Sequence, residues 1–291
     1  MLLINKMEKA NLTNVEKAIA QYIIENQEEL NQLSTRAIAK ATYTSSAAVI
    51  RLAHKLGFEG YNDLKKQFLE EQAYLNSHFE NIDANIPFNQ DNNFLSIAGS
   101  IKEVMIESAN DTLSLMHYDS LQRALKILQK SNHICIFGFS AYIPLAEVFK
   151  MKMSRIKKYV VVQSMVGEEK YQADMLNQGD CAIVISYSGE NSNLINVTSL
   201  LKENNTPIIV ITSIGENSLS SYADCVLHMS TREKLFSKIA NYTTEYSVAL
   251  ILDILYSCYF RLDYERNLDY KIKHSKQIEI KRFSSNKILK E

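Results

Sequence analysis

The feature that most constrains the fold of this chain is the stretch 34–58, which reads as two short helices joined by a tight turn. Ser34 and Ser45 each predict a helix start, because a serine hydroxyl accepts an orphan backbone N–H of the opening turn. The second helix has one apolar face at helical spacing, formed by Val49, Leu52, Ala53 and Leu56. Gly57 predicts its end, since glycine adopts a left-handed backbone without steric cost.

The opposite face of the second helix is small, polar and cationic. The sequence has no acid between Ser45 and Phe58. A short helix of this kind suits the major groove of double-stranded DNA. A solvated helical hairpin would show the same spacing, so that alternative stays open here. The candidate DNA contacts are Thr35, Ser45, Ser46, Ala47, Arg51, His54 and Lys55.

The flanking segments predict a small helical bundle around this pair. Thr13 and Glu16 have the spacing of a capping box, which marks the start of a preceding helix. The predicted buried stripe of that helix is Leu12, Val15, Ile19, Tyr22 and Ile23. A further helix is predicted over 62–71, presenting Lys65 and Lys66.

Over about the first 75 residues this pattern resembles the N-terminal domain of the MurR/RpiR family of bacterial transcription regulators. The likeness rests on Leu12-Thr13-x-x-Glu16, Val49-Ile50-Arg51 and Lys55-Leu56-Gly57-Phe58-x-Gly60-Tyr61. It implies that the domain binds DNA. The chain departs from the family at Tyr43, where a glycine is usual, and at Ala48, where a phosphate-contacting threonine is common.

Length and charge fit a DNA-binding module joined to a larger neutral domain. A chain of 291 residues predicts about two domains. The formal net charge is −1, so nucleic-acid binding must come from a local patch.

Targeting and cysteine signals point to a cytoplasmic protein. The N-terminus has no signal-peptide pattern, and no apolar run is long enough to span a membrane. The four cysteines lie far apart and predict reduced thiols: Cys135, Cys181, Cys225 and Cys258. We therefore expect no membrane, metal or cofactor.

The rest of the chain predicts an α/β domain. An Asn- and Asp-rich stretch, 76–93, is the predicted linker between a domain at 1–75 and one at 94–270, and a basic tail follows at 271–291. Helices are predicted at 94–115, 119–130, 143–156, 192–204 and 242–259. Ile- and Val-rich strands are predicted at 134–137, 159–162, 181–185, 208–212 and 225–229. Their alternation with helices predicts an α/β fold, an all-α N-terminal domain followed by an αβα sandwich with a five-stranded parallel sheet.

Three strand ends in this domain are polar and small. They are 138–141, 186–192 and 212–213. Ligands bind beyond the carboxyl ends of the strands in such sheets. In 186–192 two serine hydroxyls precede a predicted helix start, which is an arrangement suited to phosphate. The alternative is that these serines only cap the helix.

Residues 117–260 are similar to the sugar isomerase (SIS) domain. The likeness rests on Ile185-Ser186-x-Ser188-Gly189-Glu190 and Ile209-x-Ile211-Thr212-Ser213. It implies a phosphosugar-binding module in which Ser186 and Ser188 hold the phosphate. Asn191 stands at a usual threonine, Ser140 and Lys157 at usual glycines, and Tyr142 at a usual ligand serine. The candidate effector contacts are Ser140, Tyr142, Ser186, Tyr187, Ser188, Asn191 and Ser213.

Together these patterns predict a DNA-binding transcriptional regulator of carbohydrate metabolism genes, controlled by a phosphosugar and acting as a homodimer or homotetramer. One alternative is a phosphosugar isomerase, whose base would be Glu190, His228 or Glu245. Another is a DNA-binding protein whose SIS domain is only a dimerisation platform. We predict no catalytic residue. The apolar helix 242–259 is either core or subunit interface, and the tail is either solvated or a non-specific DNA contact.

Overall fold

The computed structural model describes residues 2–27, 29–76, 82–280, 283 and 288. The described part of the N-terminal domain contains five α-helices around one core. They are α1 (Leu3–Lys9), α2 (Asn14–Glu25), α3 (Thr35–Ala41), α4 (Ser46–Lys55) and α5 (Tyr61–Asn76). The sequence pattern did not predict α1, whose Leu3 and Met7 complete this core.

The helix starts in this domain are confirmed. The Ser34 hydroxyl accepts the Ala37 N–H, and the Ser45 hydroxyl accepts the Ala48 N–H, both at 3.2 Å. Thr13 and Glu16 form the predicted capping box at the start of α2. Gly57 ends α4 with a φ of 89°.

The buried stripe of α2 is narrower than predicted. Ile19 and Ile23 are fully buried, whereas Val15 is 48% exposed. At 100° per residue, Val15 points about 90° away from the middle of the face that Ile19, Ala20 and Ile23 bury. It therefore lies at the edge of the core.

The ammonium of Lys65 on α5, which was predicted to be presented to solvent, donates to the Asn31 and Leu33 carbonyls.

The C-terminal domain begins with α6 (Phe94–Ser114) and α7 (Tyr118–Lys130). Its strands are β1 (His133–Phe137), β2 (Tyr159–Gln163), β3 (Cys181–Ser186), β4 (Ile208–Thr212) and β5 (Cys225–His228). The helices between and after them are α8 (Tyr142–Ser154), α9 (Glu169–Asp174), α10 (Ser192–Glu203), α11 (Tyr242–Arg261) and α12 (Tyr264–Ile278). The strands form one parallel sheet in the order β2-β1-β3-β4-β5.

Helices cover both faces of this sheet, as β1 illustrates. Ile134 and Ile136 pack on the side of α7, α8 and α11, whereas Cys135 and Phe137 pack on the side of α9 and α10. Two-sided burial explains the unbroken Ile and Val runs of the strands. The predicted fold class is confirmed, and the buried face of α11 packs in the core against α6 and α8.

The predicted linker, 76–93, and the predicted tail, 271–291, each include residues that belong to ordered parts of the structure. Part of the predicted linker, 77–81, lies outside the described residues, and Ala84 and Pro87 beyond it are buried. The predicted tail begins inside α12, because Lys271 and Lys273 continue an amphipathic helix. Residues 281, 282, 284–287 and 289–291 of that tail lie outside the described part of the chain.

The thiols are free, and three are deeply buried in strands. Burial raises the pKa of Cys135 to about 12 and the pKa values of Cys181 and Cys225 to about 11.

Among the described residues, no group of three or more His, Cys, Asp or Glu side chains could hold a metal ion. None of the described helices is long and apolar enough to cross a membrane.

Candidate DNA and effector sites

The second helix of the predicted pair, α4, turns its polar face outward. Ala47, Arg51, His54 and Lys55 are exposed on it, and Ser46 is half-buried. Ile50 shares this face and is 40% exposed. Ser45 is exposed as the N-cap, and Thr35 is half-buried at the first position of α3. All seven predicted contacts thus belong to α3, α4 or the turn between them.

Besides Ser45, whose hydroxyl caps α4, Lys55 and His54 have partners within the domain. The Lys55 ammonium lies 2.8 Å from the Glu16 carboxylate of α2. The His54 Nδ1 lies 3.1 Å from the Phe58 carbonyl, just beyond the end of α4. Both contacts lie at the C-terminal end of α4. Arg51 lies about one helical turn closer to the N-terminal end.

The turn between α3 and α4 is built without its usual glycine. Tyr43 adopts a left-handed φ of 53° at this point, and its side chain is 97% exposed. The Thr44 N–H donates to the Ala39 carbonyl at 2.8 Å across the turn. The tyrosine therefore adopts the backbone of a glycine, without burying its ring.

The predicted effector residues meet at the carboxyl edge of the sheet. Because β1, β3 and β4 are neighbours, the loops that follow them lie side by side. The Ser213 N–H after β4 donates to the Tyr187 carbonyl after β3 at 3.2 Å. Ser140 and Tyr142 come from the loop and first helical position after β1. This is the edge where doubly wound sheets bind ligands.

The loop after β3 has hydroxyl groups beside a helix start. The Ser186 hydroxyl accepts the Gly189 N–H at 3.3 Å, and the Ser188 hydroxyl accepts the Glu190 N–H at 3.2 Å. The Asn191 side-chain oxygen caps α10 by accepting the Leu194 N–H. Each serine keeps its own O–H as a donor, and Asn191 keeps its side-chain amide N–H groups. We call residues 186–191 the effector loop.

The loop after β1 contributes one exposed side chain, Ser140, and one half-buried side chain, Tyr142. Ser140 is exposed with a left-handed φ of 52°. Tyr142 is half-buried and packs against the core. Burial raises the pKa of its hydroxyl to about 12. Tyr142 therefore fills part of the space where the resemblance places a small serine.

The segment between β5 and α11 closes this edge of the sheet, and its role was not predicted. The Tyr187 hydroxyl donates to the Glu233 carbonyl. The Glu233 carboxylate is fully buried, pairs with the Lys238 ammonium at 2.9 Å, and accepts the Thr243 and Thr244 hydroxyls. No short-range sequence signal identifies Glu233, because its partners join only when the sheet and α11 are packed.

The three candidate bases have different surroundings. The Glu190 carboxylate accepts the Ser218 hydroxyl and N–H, which holds its pKa below the ordinary value. Burial lowers the pKa of His228, whose Nδ1 lies 3.0 Å from the Ser213 carbonyl. Burial, reinforced by the nearby Glu233, raises the pKa of Glu245. Glu190 is thus held as a carboxylate by its neighbours.

The two domains also touch outside the predicted sites. The Lys6 ammonium of α1 lies 2.6 Å from the Glu216 carboxylate, which follows β4. A cavity of about 530 Å³ lies between α5 and β5, and Gln67, Glu70, His117, Arg123 and His228 are among its lining residues. This cavity is separate from the effector loop.

A helix-turn-helix domain followed by a doubly wound domain with a serine-rich loop defines a two-domain protein of the DNA-binding regulator class. Residues 1–74 match the model of the helix-turn-helix domain of the rpiR family, and residues 127–252 match the SIS domain. The chain belongs to the RpiR-type transcriptional regulators that carry a SIS domain, as the sequence patterns predicted.

Relatives of similar length support this assignment. An uncharacterised HTH-type transcriptional regulator of Caldanaerobacter subterraneus is 27% identical over 253 residues, which covers 85% of this chain and 86% of the relative. The Bacillus subtilis regulator YbbH is 26% identical over 265 residues, covering 90% and 91%. Both relatives thus span the two domains.

Solved structures share the fold. The NanR protein of Vibrio vulnificus, complexed with ManNAc-6P, has a TM-score of 0.59 at 19% identity, covering 97% of this chain and all of that one. The sugar isomerase domain of an RpiR transcription factor from Sphaerobacter thermophilus has a TM-score of 0.54 at 17% identity, covering 62% and 98%.

Proposed function

We propose that this protein regulates carbohydrate metabolism genes in the cytoplasm and that a phosphosugar bound at the effector loop controls its affinity for operator DNA. The observation that carries the proposal is the placement of the Ser186 and Ser188 hydroxyls beside the start of α10. A helix N-terminus with adjacent hydroxyl donors stabilises a phosphate by charge-assisted hydrogen bonds. The complex of NanR with ManNAc-6P supports this ligand class.

The proposed contacts divide between the two domains. DNA is read by the exposed face of α4 with the start of α3, and the effector by the effector loop with Ser140, Tyr142 and Ser213. The domain limits are 1–75 for DNA binding, 76–93 for the connection and 94–270 for the effector domain. The regulator acts as a homodimer or larger oligomer, because helix-turn-helix proteins read paired half-sites.

A thermal-shift screen of phosphosugars, with ManNAc-6P among them, tests this function. A phosphosugar at about 100 times its Kd stabilises the folded protein by about 2.7 kcal/mol. Replacing both Ser186 and Ser188 with alanine should abolish the shift. The matched control is Ser199→Ala, a half-buried serine further along α10. An equal shift in the double variant would place the phosphate elsewhere.

The dimerisation-platform alternative has one observation in its favour. Tyr142 packs against the core and occupies space at the predicted site. If its ring closes the site, the wild-type protein should give no thermal shift with any phosphosugar, and Tyr142→Ser should gain one. If the ring lines an open site, Tyr142→Ser should change which phosphosugars respond.

We propose binding without catalysis. Glu190 is held by Ser218, and His228 lines the cavity that faces α5. Following the best-binding phosphosugar by NMR tests this point. Conversion to an aldose or ketose isomer, lost in Glu245→Gln, would favour the isomerase instead.

A further inference from the structure

The segment 230–240, between β5 and α11, contacts the effector loop directly. The Tyr187 hydroxyl donates to the Glu233 carbonyl, and the Lys238 ammonium lies 5.5 Å from the centre of the Tyr187 ring. The Thr231 hydroxyl accepts the Ile214 N–H beyond β4 at 3.0 Å. Any movement of Tyr187 therefore acts on this segment.

The same segment is anchored to the helices behind it. The Glu233 carboxylate accepts the Thr243 N–H at the start of α11 and pairs with Lys238. Asp111 of α6 lies 2.9 Å from the Arg232 guanidinium and accepts the Ser230 hydroxyl at 2.6 Å. These contacts hold the segment at several points.

Asn85 joins this unit to the chain that connects the two domains. Its side-chain oxygen accepts the Lys234 N–H at 2.7 Å, and its side-chain amide donates to the Arg232 carbonyl at 3.3 Å. Its own carbonyl accepts the Ile239 N–H at 2.9 Å. One residue thus binds the backbone of the segment near both of its ends.

Asn85 is itself held by Asp83, which precedes it in the connecting chain. The Asp83 carboxylate accepts its backbone N–H at 2.8 Å and its side-chain amide at 3.1 Å. In sequence Asn85 comes nine residues after Asn76, where α5 of the DNA-binding domain ends. A displacement of the segment 230–240 must either carry Asn85 with it or break three hydrogen bonds.

We propose that Asn85 is the positioning residue that transmits the state of the effector loop, through the segment 230–240, to the DNA-binding domain. The inference rests on the proposed function and adds the route by which the effector acts. A ligand that moves Tyr187 changes the position of Glu233 and hence of the Asn85 contacts. Coupling between two sites of a regulator is typically 5- to 150-fold in affinity.

The route makes a prediction that needs no ligand. In Tyr187→Phe the bond to the Glu233 carbonyl is lost, and the Lys234 and Ile239 amides, which donate to Asn85, should exchange with deuterium several-fold faster. Tyr171→Phe is the matched control, since Tyr171 is 71% exposed on α9. Unchanged exchange at Lys234 and Ile239 in Tyr187→Phe would overturn the inference.

The second arm measures the coupling with ManNAc-6P as the probe and an operator fragment selected from random DNA by the wild-type protein. Asn85→Ala should keep the calorimetric Kd for ManNAc-6P within about two-fold of wild type, while the ManNAc-6P-dependent change in DNA affinity falls at least five-fold. The control Gln90→Ala, an exposed residue of the same stretch, should behave as wild type.

The outcomes separate the two proposals. If Asn85→Ala binds ManNAc-6P and still shows the full change in DNA affinity, the route through Asn85 is wrong and the effector proposal stands. If the wild-type protein binds no phosphosugar, the effector proposal fails, and the route fails with it because it has no input to transmit.

Discussion

The ammonium group of Lys55 lies 2.8 Å from the carboxylate of Glu16, which joins the exposed face of α4 to the first turn of α2. Glu16 also accepts the Thr13 N–H at 2.8 Å in the capping box. One carboxylate therefore fixes a helix start and a cation on the proposed DNA-binding face. A DNA phosphate that takes Lys55 must compete with Glu16.

This relationship ranks the cations of α4. Arg51→Ala should weaken operator binding by roughly 1–3 kcal/mol, because a base-contacting arginine is lost. Lys55→Ala should cost less, since Lys55 exchanges one anion for another on binding. Fluorescence anisotropy at fixed salt measures both, with thermal unfolding to show that each variant is folded. Wild-type affinity in folded Arg51→Ala would contradict the assignment of the recognition face.

The same carboxylate predicts an acid-sensitive contribution to stability. Hydrogen bonding to Lys55, above all, lowers the pKa of Glu16 to about 2. A pKa lower in the folded than in the unfolded state stabilises the fold above the unfolded value, and that contribution is lost as the pH falls through the folded value. We expect the loss between about pH 4.5 and about pH 2.

Urea unfolding of the full chain at several pH values in this window measures the effect. Glu16→Gln cannot ionise, so its unfolding midpoint should depend less on pH there than that of wild type. Lys55→Ala should flatten the dependence in the same direction. A pH profile of Glu16→Gln that parallels wild type would show that another group dominates.

The left-handed backbone of Tyr43 predicts a stabilising substitution. A left-handed conformation costs a non-glycine residue roughly 1–2 kcal/mol, and a glycine would remove that cost. Glycine also loses more backbone entropy on folding, which offsets part of the stabilisation. Tyr43→Gly should therefore raise the free energy of unfolding by up to about 1 kcal/mol. Tyr43→Ala keeps the strain and should show no gain. Calorimetry of the three proteins distinguishes strain from loss of the tyrosine ring.

The resemblance to known families identified three positions where a usual glycine is replaced, and the structure shows that all three have a left-handed backbone. Tyr43, Ser140 and Lys157 each stand where a glycine is usual, and each has a left-handed φ between 52° and 61°. The chain keeps the turn geometry although the residue has changed. Strand positions were likewise predictable, because two-sided burial leaves a continuous apolar run in the sequence.

Contacts between distant segments could not be predicted in this way. The pairing of Lys55 with Glu16 spans two helices, and Glu233 gains its partners only when α11 packs beside the sheet. Asn85 looked like one polar residue among many in a polar stretch. Val15 fits a helical period but lies at the edge of the core, which depends on how the neighbouring helices cross.

The Lys6–Glu216 pair predicts a measurable coupling between the domains. Glu216 is 61% exposed, so the pair should contribute no more than about 1 kcal/mol at low salt. Lys6→Glu should speed amide exchange in α1, and the double variant with Glu216→Lys should restore it, because the opposite charges are again paired. Additive effects of the two reversals would show that the residues do not interact.

The buried thiols have a practical consequence for following the motion of this regulator. Thiolates are the reactive form of cysteine, and the raised pKa values of Cys135, Cys181 and Cys225 keep these groups protonated. Maleimide dyes should therefore label Cys258 first, since it is only partly buried. A Cys258→Ser variant then lacks the readily labelled thiol, so a fluorophore can be attached selectively at the turn that contains Tyr43. Energy transfer between two such labels in an oligomer would report the distance between its DNA-binding domains.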